Sequence, residues 1–183
     1  MSQERSLLFL DACVLINLFA CGHEEEILGS LDIPAAIVSH VHRESLFIRQ
    51  GGDGDDAREP IPIHLSDALG NGLLRVVPDA SEEELNTFID VTLELGDGEA
   101  MTAALAIHRR FTIATDDRVA LRVIGSRVPT RSSLELIKRW AERRRVEPAT
   151  ITTALHNLRQ RGSYMPAAQH PLRWWWDRYY GKE

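Results

Sequence analysis

Four acidic loci in this chain stand where carboxylates can do chemistry. Asp11 directly ends the apolar run Leu7-Leu8-Phe9-Leu10, and Asp116-Asp117 follow Phe111-Thr112-Ile113-Ala114-Thr115. In an open parallel sheet, ligands bind beyond the carboxyl ends of the strands, so both places can deliver a carboxylate to a site. Glu44 reads as part of a helix with Val41, Phe47 and Ile48, at offsets that turn it toward the core, where a carboxylate needs compensation. Glu99, with Asp97 beside it, opens a further helix; successive loci are 33, 55 and 18 residues apart. Carboxylates gathered this way repel one another, and burial raises the cost, so a cluster of four is stable chiefly when divalent cations neutralise it. Hard oxygen ligands suit Mg2+ or Mn2+, which can lower the pKa of a bound water and stabilise charge on a phosphodiester in flight. That is nuclease chemistry.

The elements that must position these residues alternate between strand and helix. Leu7–Leu10 reads as a buried strand, followed by a helix carrying Ala12, Leu15, Ile16 and Phe19. Ile33–Val38 reads as a second strand, Ser39 as an N-cap, and 40–49 as a helix. Residues 51–56, Gly-Gly-Asp-Gly-Asp-Asp, have the composition of a solvated, mobile loop, and Pro60 and Pro62 discourage regular structure after it. Leu73–Val77 is strand-like, and Ser81-Glu82-Glu83-Glu84 forms a capping box for a helix ending near Gly96. Asp97 can cap the helix from Gly98 to about Arg109, which leads into the strand Phe111–Ala114. Further helices are expected over 132–145 and 148–161, the latter with Pro148 in its first turn. The βαβα order predicts an α/β fold with a mainly parallel sheet covered by helices on both faces.

Composition narrows the function classes. A chain of 183 residues, 44% hydrophobic and 26% charged, is a globular domain of one core with at most an appendage, which excludes disordered and collagen-like classes. Cys13 and Cys21 lie in one apolar stretch with no partner cluster, so neither a disulfide framework nor a zinc site is expected, and a reducing cytoplasm fits best. The longest apolar stretch, 7–20, is broken by Asp11 and Asn17, so no membrane span is expected. The net charge of −6 hides an asymmetry: residues 1–117 hold 7 Lys/Arg against 22 Asp/Glu, and 118–183 hold 14 against 5. An acidic body with a basic C-terminal third matches a metal-centred site to a polyanionic substrate. Arg139, Arg143, Arg144 and Arg145 crowd one helix end and Arg159 and Arg161 the next, together more than the helix dipole asks for, and Arg143, Arg144 and Arg145 are candidate contacts to nucleic-acid phosphates. Trp174, Trp175 and Trp176 with Tyr179 and Tyr180 form an aromatic tail, read as docking a terminal helix on the body.

Taken in order, these segments resemble the PIN-domain ribonucleases. Leu8-Phe9-Leu10-Asp11-Ala12-Cys13-Val14-Leu15-Ile16-Asn17 looks like the family's opening strand, first acid and helix with a polar residue one turn on. Val38-Ser39-His40-Val41-His42-Arg43-Glu44 is similar to its second acid, 96–106 around Asp97 and Glu99 to its third, and Ala114-Thr115-Asp116-Asp117 to its fourth. Each short motif is weak alone, and the ordered set across 7–130 carries the resemblance. It implies a PIN-like three-layer α/β/α sandwich over 1–145, with a C-terminal helical extension over 146–183 packed on it. It implies a Mg2+- or Mn2+-dependent endoribonuclease, the toxin of a VapC-like type II toxin and antitoxin pair, with RNA as substrate and an antitoxin as protein partner, and it allows a homodimer. Asp11, Glu44, Glu99 and Asp117 would be the catalytic metal ligands, Asp97 and Asp116 further candidates, and Asn17 and Thr115 supporting residues.

Two other readings compete. A PIN-fold module that binds nucleic acid or protein without cutting would be free to lose an acid, and the complete set argues against it. A phosphatase of the haloacid dehalogenase kind would want Asp-x-Asp after the first strand, and Asp11-Ala12-Cys13 lacks it. Each acid also has a structural alternative: Asp11 and Asp117 as helix caps, Glu44 as the partner of a core arginine.

Overall fold

The computed structural model describes residues 6–44, 46–50, 59–78 and 80–181; the loop expected at 51–56 lies outside them. In chain order the elements are β1 (Leu8–Leu10), α1 (Ala12–Cys21), α2 (Glu24–Leu28), β2 (Ala35–Val38), α3 (Ser39–Arg43), β3 (Phe47–Gln50) and β4 (Glu59–Pro62). Then come α4 (Ser66–Gly70), β5 (Leu74–Val77), α5 (Glu82–Val91), α6 (Asp97–Arg109), β6 (Thr112–Ala114) and α7 (Arg118–Ile124). The last are β7 (Thr130–Arg131), α8 (Ser133–Arg143), α9 (Pro148–Gly162) and α10 (Arg173–Tyr180). The fold is α/β as expected: a five-stranded sheet, every described pairing parallel, flanked by helices as in a three-layer α/β/α sandwich.

The chain divides into two compact units that interleave in sequence. The first comprises Met1–Leu15, Leu31–Glu44 and His64–Ser132, and the second Ile16–Ser30, Ser45–Ile63 and Ser133–Glu183.

The first unit holds the whole sheet, in the order β5-β2-β1-β6-β7. Parallel strands covered on both faces read as continuous apolar runs, and Leu8-Phe9-Leu10 and Ala35–Val38 are buried throughout. Register sets Leu10 beside Ala114 and Val38 beside Val77, so the residues that follow these strands emerge at one edge. The capping box expected at Ser81 is complete: Ser81 Oγ accepts from Glu84 N at 3.3 Å, and Glu84 Oε2 accepts from Ser81 N at 2.8 Å. Glu84, only 4% exposed, also receives both arms of Arg109, Nε at 2.6 Å and Nη2 at 3.0 Å. This fork locks α5 to the end of α6 and holds the Glu84 carboxyl down at about 2.

Several local expectations change. Val38, in extended conformation, is the N-cap of α3, and Ser39 is its first helical residue. Gly96 likewise precedes α6, so Asp97 lies within the first turn instead of capping it. α5 ends at Val91 with Thr92 as its C-cap, short of Gly96. The helix expected over 40–49 stops at Arg43, and β3 follows. Leu46 and Ile48 are buried while Phe47 and Arg49 are exposed, an alternation of period two that a helix cannot produce.

The second unit contains that strand, paired antiparallel with β4. Ile63 N donates to Leu46 O, so alternation turns Pro60 and Pro62 toward the free edge, where a missing N–H costs no ladder bond. The two prolines therefore sit in a strand, contrary to expectation. Trp140 of α8 is fully buried, stacked on His23 at 4.7 Å and donating to Glu26 from Nε1. α9 begins with Pro148 as expected, and Thr152 Oγ1 donates to Tyr179 O of α10 at 2.9 Å. Trp175 and Trp176 are buried, whereas Trp174 is exposed.

Candidate active site

Asp11 is the best-anchored of the acids. Its amide donates to Ala114 O at 3.1 Å, extending the β1–β6 pairing by one bond past the strand end. The side chain is buried, with Oδ1 accepting from Ala12 N at 2.6 Å and Oδ2 accepting from Thr115 Oγ1 at 2.8 Å and Cys13 Sγ at 3.2 Å. The Thr115 hydroxyl also accepts from Asp117 N at 3.1 Å, so one oxygen ties the carboxylate after β1 to the backbone after β6. Burial pushes the Asp11 carboxyl above the usual range; the three hydrogen bonds pull it back in part, and Asp117 adds to the rise.

Asp117 is the N-cap of α7, its Oδ1 accepting from Ala120 N at 2.7 Å. Glu99 lies in the first turn of α6 and lines a narrow cleft with Asp11, Thr102 and Thr115. Its carboxyl is raised by burial first, then by the charges of Asp11, Asp117 and Glu44, with the Gly96 amide acting against them.

Glu44 is placed differently from the core-facing helical position expected of it. It is the extended residue that ends α3, with φ −70° and ψ 143°, and as a whole it is solvent-exposed. Its carboxylate nonetheless reaches the backbone of α6, where a Cβ built on Gly98 would overlap Glu44 Oε1 and come within 3.1 Å of Val41 Cγ2. Glu44 is raised by burial and then by Asp11 and Asp97. The charges that bear most on Asp11, Glu44 and Glu99 are thus those of other carboxylates.

Asp11, Glu44, Asp97, Glu99 and Asp117 therefore belong to one electrostatic cluster, with Thr115 inside it. Asp116 borders it through Cys13, whose Sγ accepts from Asp116 N at 3.4 Å. Asn17 is buried in the second unit, where its Nδ2 donates to Ser133 Oγ at 3.1 Å. Arg143, Arg144 and Arg145 also belong to the second unit; Arg143 Nη1 donates to Ser30 O at 2.6 Å and Arg144 Nη2 to Gly29 O at 3.4 Å, closing the end of α2. Cys13, Gly98 and Thr102 are site residues to which the sequence pattern assigns no role there. Gly98 left a sequence signal, a glycine inside a helical first turn, where it lowers helix propensity unless a close approach requires it.

Among the described residues, no group of three or more His, Cys, Asp or Glu stands in an arrangement that could hold a metal ion as the side chains are placed. The donors gathered there, carboxylate oxygens with a hydroxyl beside them, are nevertheless of the hard type that suits a divalent cation, and three of the carboxyls, Asp11, Glu44 and Glu99, are raised by burial and then by neighbouring carboxylates. Comparison of the chain with known protein families, curated proteins and solved structures found no match.

Proposed function

We propose that this chain is a metal-dependent endoribonuclease of the PIN type, hydrolysing RNA phosphodiester bonds as the toxin of a type II toxin and antitoxin pair. The observation that carries the reading is the gathering of acids at the strand ends: Asp11 and Glu99 line one narrow cleft, Thr115 ties Asp11 to the backbone of Asp117, and the Glu44 carboxylate lies against Gly98 beside Glu99 on α6. Burial first, and then neighbouring carboxylates, raise Asp11, Glu44 and Glu99 above their ordinary values. A fold tolerates such a cluster when a positive charge is to be bound there. Asp11, Glu44, Glu99 and Asp117, with Asp97 and Asp116 nearby, would hold Mg2+ or Mn2+, which supplies a Lewis acid for the phosphoryl group and a water of lowered pKa.

The chain's own residues do the positioning. Thr115 and Cys13 orient Asp11 Oδ2, the Ala12 amide orients Oδ1, and Gly98 admits the Glu44 carboxylate against α6. No helix among the described residues is long and apolar enough to cross a membrane, and both cysteines are free, Cys21 with its thiol pushed up to about 12 by burial. These features suit a cytoplasmic enzyme that meets RNA.

The test is to sequence the ends of RNA exposed to purified protein with Mn2+, with Mn2+ plus EDTA, and with Asp11→Asn. Discrete cuts that vanish in the two controls support the reading. RNA bound but never cut, with any divalent cation, would return the chain to a binding module.

A further inference from the structure

The first unit carries a second concavity, a pocket of about 250 Å³ lined by Val38, Ser39, His40, Val77, Pro78 and Met101 among others. Val38 and Val77 are the last residues of adjacent parallel strands, β2 and β5. The pocket therefore opens at the sheet edge from which Asp11 and Thr115 emerge, where open α/β sheets bind ligands. Two helices link it to the acids. α3 brings Ser39 and His40 to the pocket, and Glu44 follows its last residue, Arg43. Met101 lies one turn beyond Gly98, on the same face of α6, about 4.5 Å further along the axis.

The lining separates possible occupants. It is predominantly apolar, and no Lys or Arg lies among the described lining residues, so it is not built for phosphate. Its polar groups are the Ser39 hydroxyl and the His40 ring, and neither makes a side-chain hydrogen bond among the described residues. His40 packs against Phe88 with ring centroids 5.7 Å apart, which supports the imidazole from one side. The volume falls below the roughly 300 to 1,000 Å³ of pockets for drug-sized ligands, which suits one flat ring system. A mainly apolar lining that carries one hydroxyl and one imidazole matches a nucleobase, since unpaired bases are bound by stacking and by hydrogen bonds at their edges.

The geometry points to a nucleobase subsite: the pocket takes one base of the RNA flanking the scissile phosphate and sets the sequence at which the chain cuts. This rests on the endoribonuclease reading.

Titration of AMP, GMP, CMP, UMP and ribose 5-phosphate into the metal-free protein, followed by NMR of the His40 ring and the Met101 methyl, tests the subsite without any cleavage. At least one nucleotide should bind, and ribose 5-phosphate should not. His40→Ala, and Ala80→Trp at another lining residue, should each weaken that binding tenfold or more, with folding checked by circular dichroism. End-sequencing of RNA cut with Mn2+ should show a base preference at one position beside the cut, which both variants lose. Failure of all four nucleotides to shift these signals overturns the proposal, as does equal binding of ribose 5-phosphate. Occupation by N-acetyl-leucinamide in place of every nucleotide also overturns it, assigning the pocket to a protein side chain. A chain that binds a base here but never cuts RNA retains the subsite and loses the nuclease reading; one that cuts with no base preference and binds no nucleotide loses the subsite alone.

Discussion

The Glu44 carboxylate lies against the backbone of Gly98, in the space that a side chain at position 98 would fill. An acid from the end of α3 thereby joins Asp11 and Glu99, and the absence of a Cβ is what permits it. Gly98→Ala should push the carboxylate out while adding a methyl group that favours the helix, so stability should change by less than about 1 kcal/mol. Displacement of a reacting group by about 1 Å can cost about 100-fold, so RNA cleavage should fall at least tenfold and Mn2+ affinity should drop with it. Shortening the side chain with Glu44→Asp in the Gly98→Ala background should recover part of the Mn2+ affinity. Unchanged cleavage in Gly98→Ala would show that the position of Glu44 does not matter.

Asp117 caps α7 and is a proposed metal ligand, and substitution can separate the two. Asn retains a side-chain oxygen for the Ala120 amide, whereas Ala removes it. Asp117→Ala should therefore lose about 1 kcal/mol in EDTA, and Asp117→Asn should hold or gain stability there, because one member of a repelling cluster is neutralised. Thermal melts with and without Mg2+ check this: the Mg2+-induced rise in Tm should shrink in both variants, and cleavage should be lost in both. Asp117→Asn with full activity and a lower Tm in EDTA would make the residue a cap alone.

The Glu84–Arg109 pair predicts a pH dependence of definite sign. The Glu84 carboxyl is held at about 2, below its ordinary 4.5, so the unfolded chain takes up the proton first as pH falls. Its contribution is complete above the unfolded value and is lost as pH drops from about 4.5 toward about 2. With screening at the partly exposed Arg109 side chain, the shift corresponds to roughly 2 to 3 kcal/mol at neutral pH. Denaturant melts of Glu84→Gln should show a deficit of about 2 to 3 kcal/mol at pH 7 that narrows below pH 4. A deficit independent of pH would assign the loss to the capping box instead of the charge.

The arginines at the end of α8 should divide by partner. Arg143 donates to Ser30 O, so Arg143→Gln should destabilise by about 1 kcal/mol, while exposed Arg145→Gln should stay within about 0.5 kcal/mol. If Arg145 meets an RNA phosphate, its substitution in an Asp11→Asn background should flatten the salt dependence of binding by about 0.7 in log–log slope. An unchanged slope and affinity would leave it as solvated charge.

What was legible in the sequence was local. The run Leu8–Leu10 before Asp11, the Ser81–Glu84 box and Pro148 at a helix start depend on neighbours within a few residues, so periodicity and capping chemistry identified them. The alternation of strands and helices likewise implied a parallel sheet, and its strand ends marked Asp11 and Asp117 as acids worth gathering. Residues 40–49 misled because Val41, Phe47 and Ile48 also satisfy a helical spacing; pairing of Phe47–Gln50 with Glu59–Pro62 decided for a strand, and sequence pattern cannot register a partner that forms only on folding. The same limit applies to the site. Thr115 reaches Asp11 across 104 positions, and Glu44 finds its place through a missing side chain on α6. The residue types that can bind a cation are written in the chain. Which of them share a charge environment, and which oxygen each hydrogen bond fixes, follow only from the three-dimensional packing of the strands and helices that carry them.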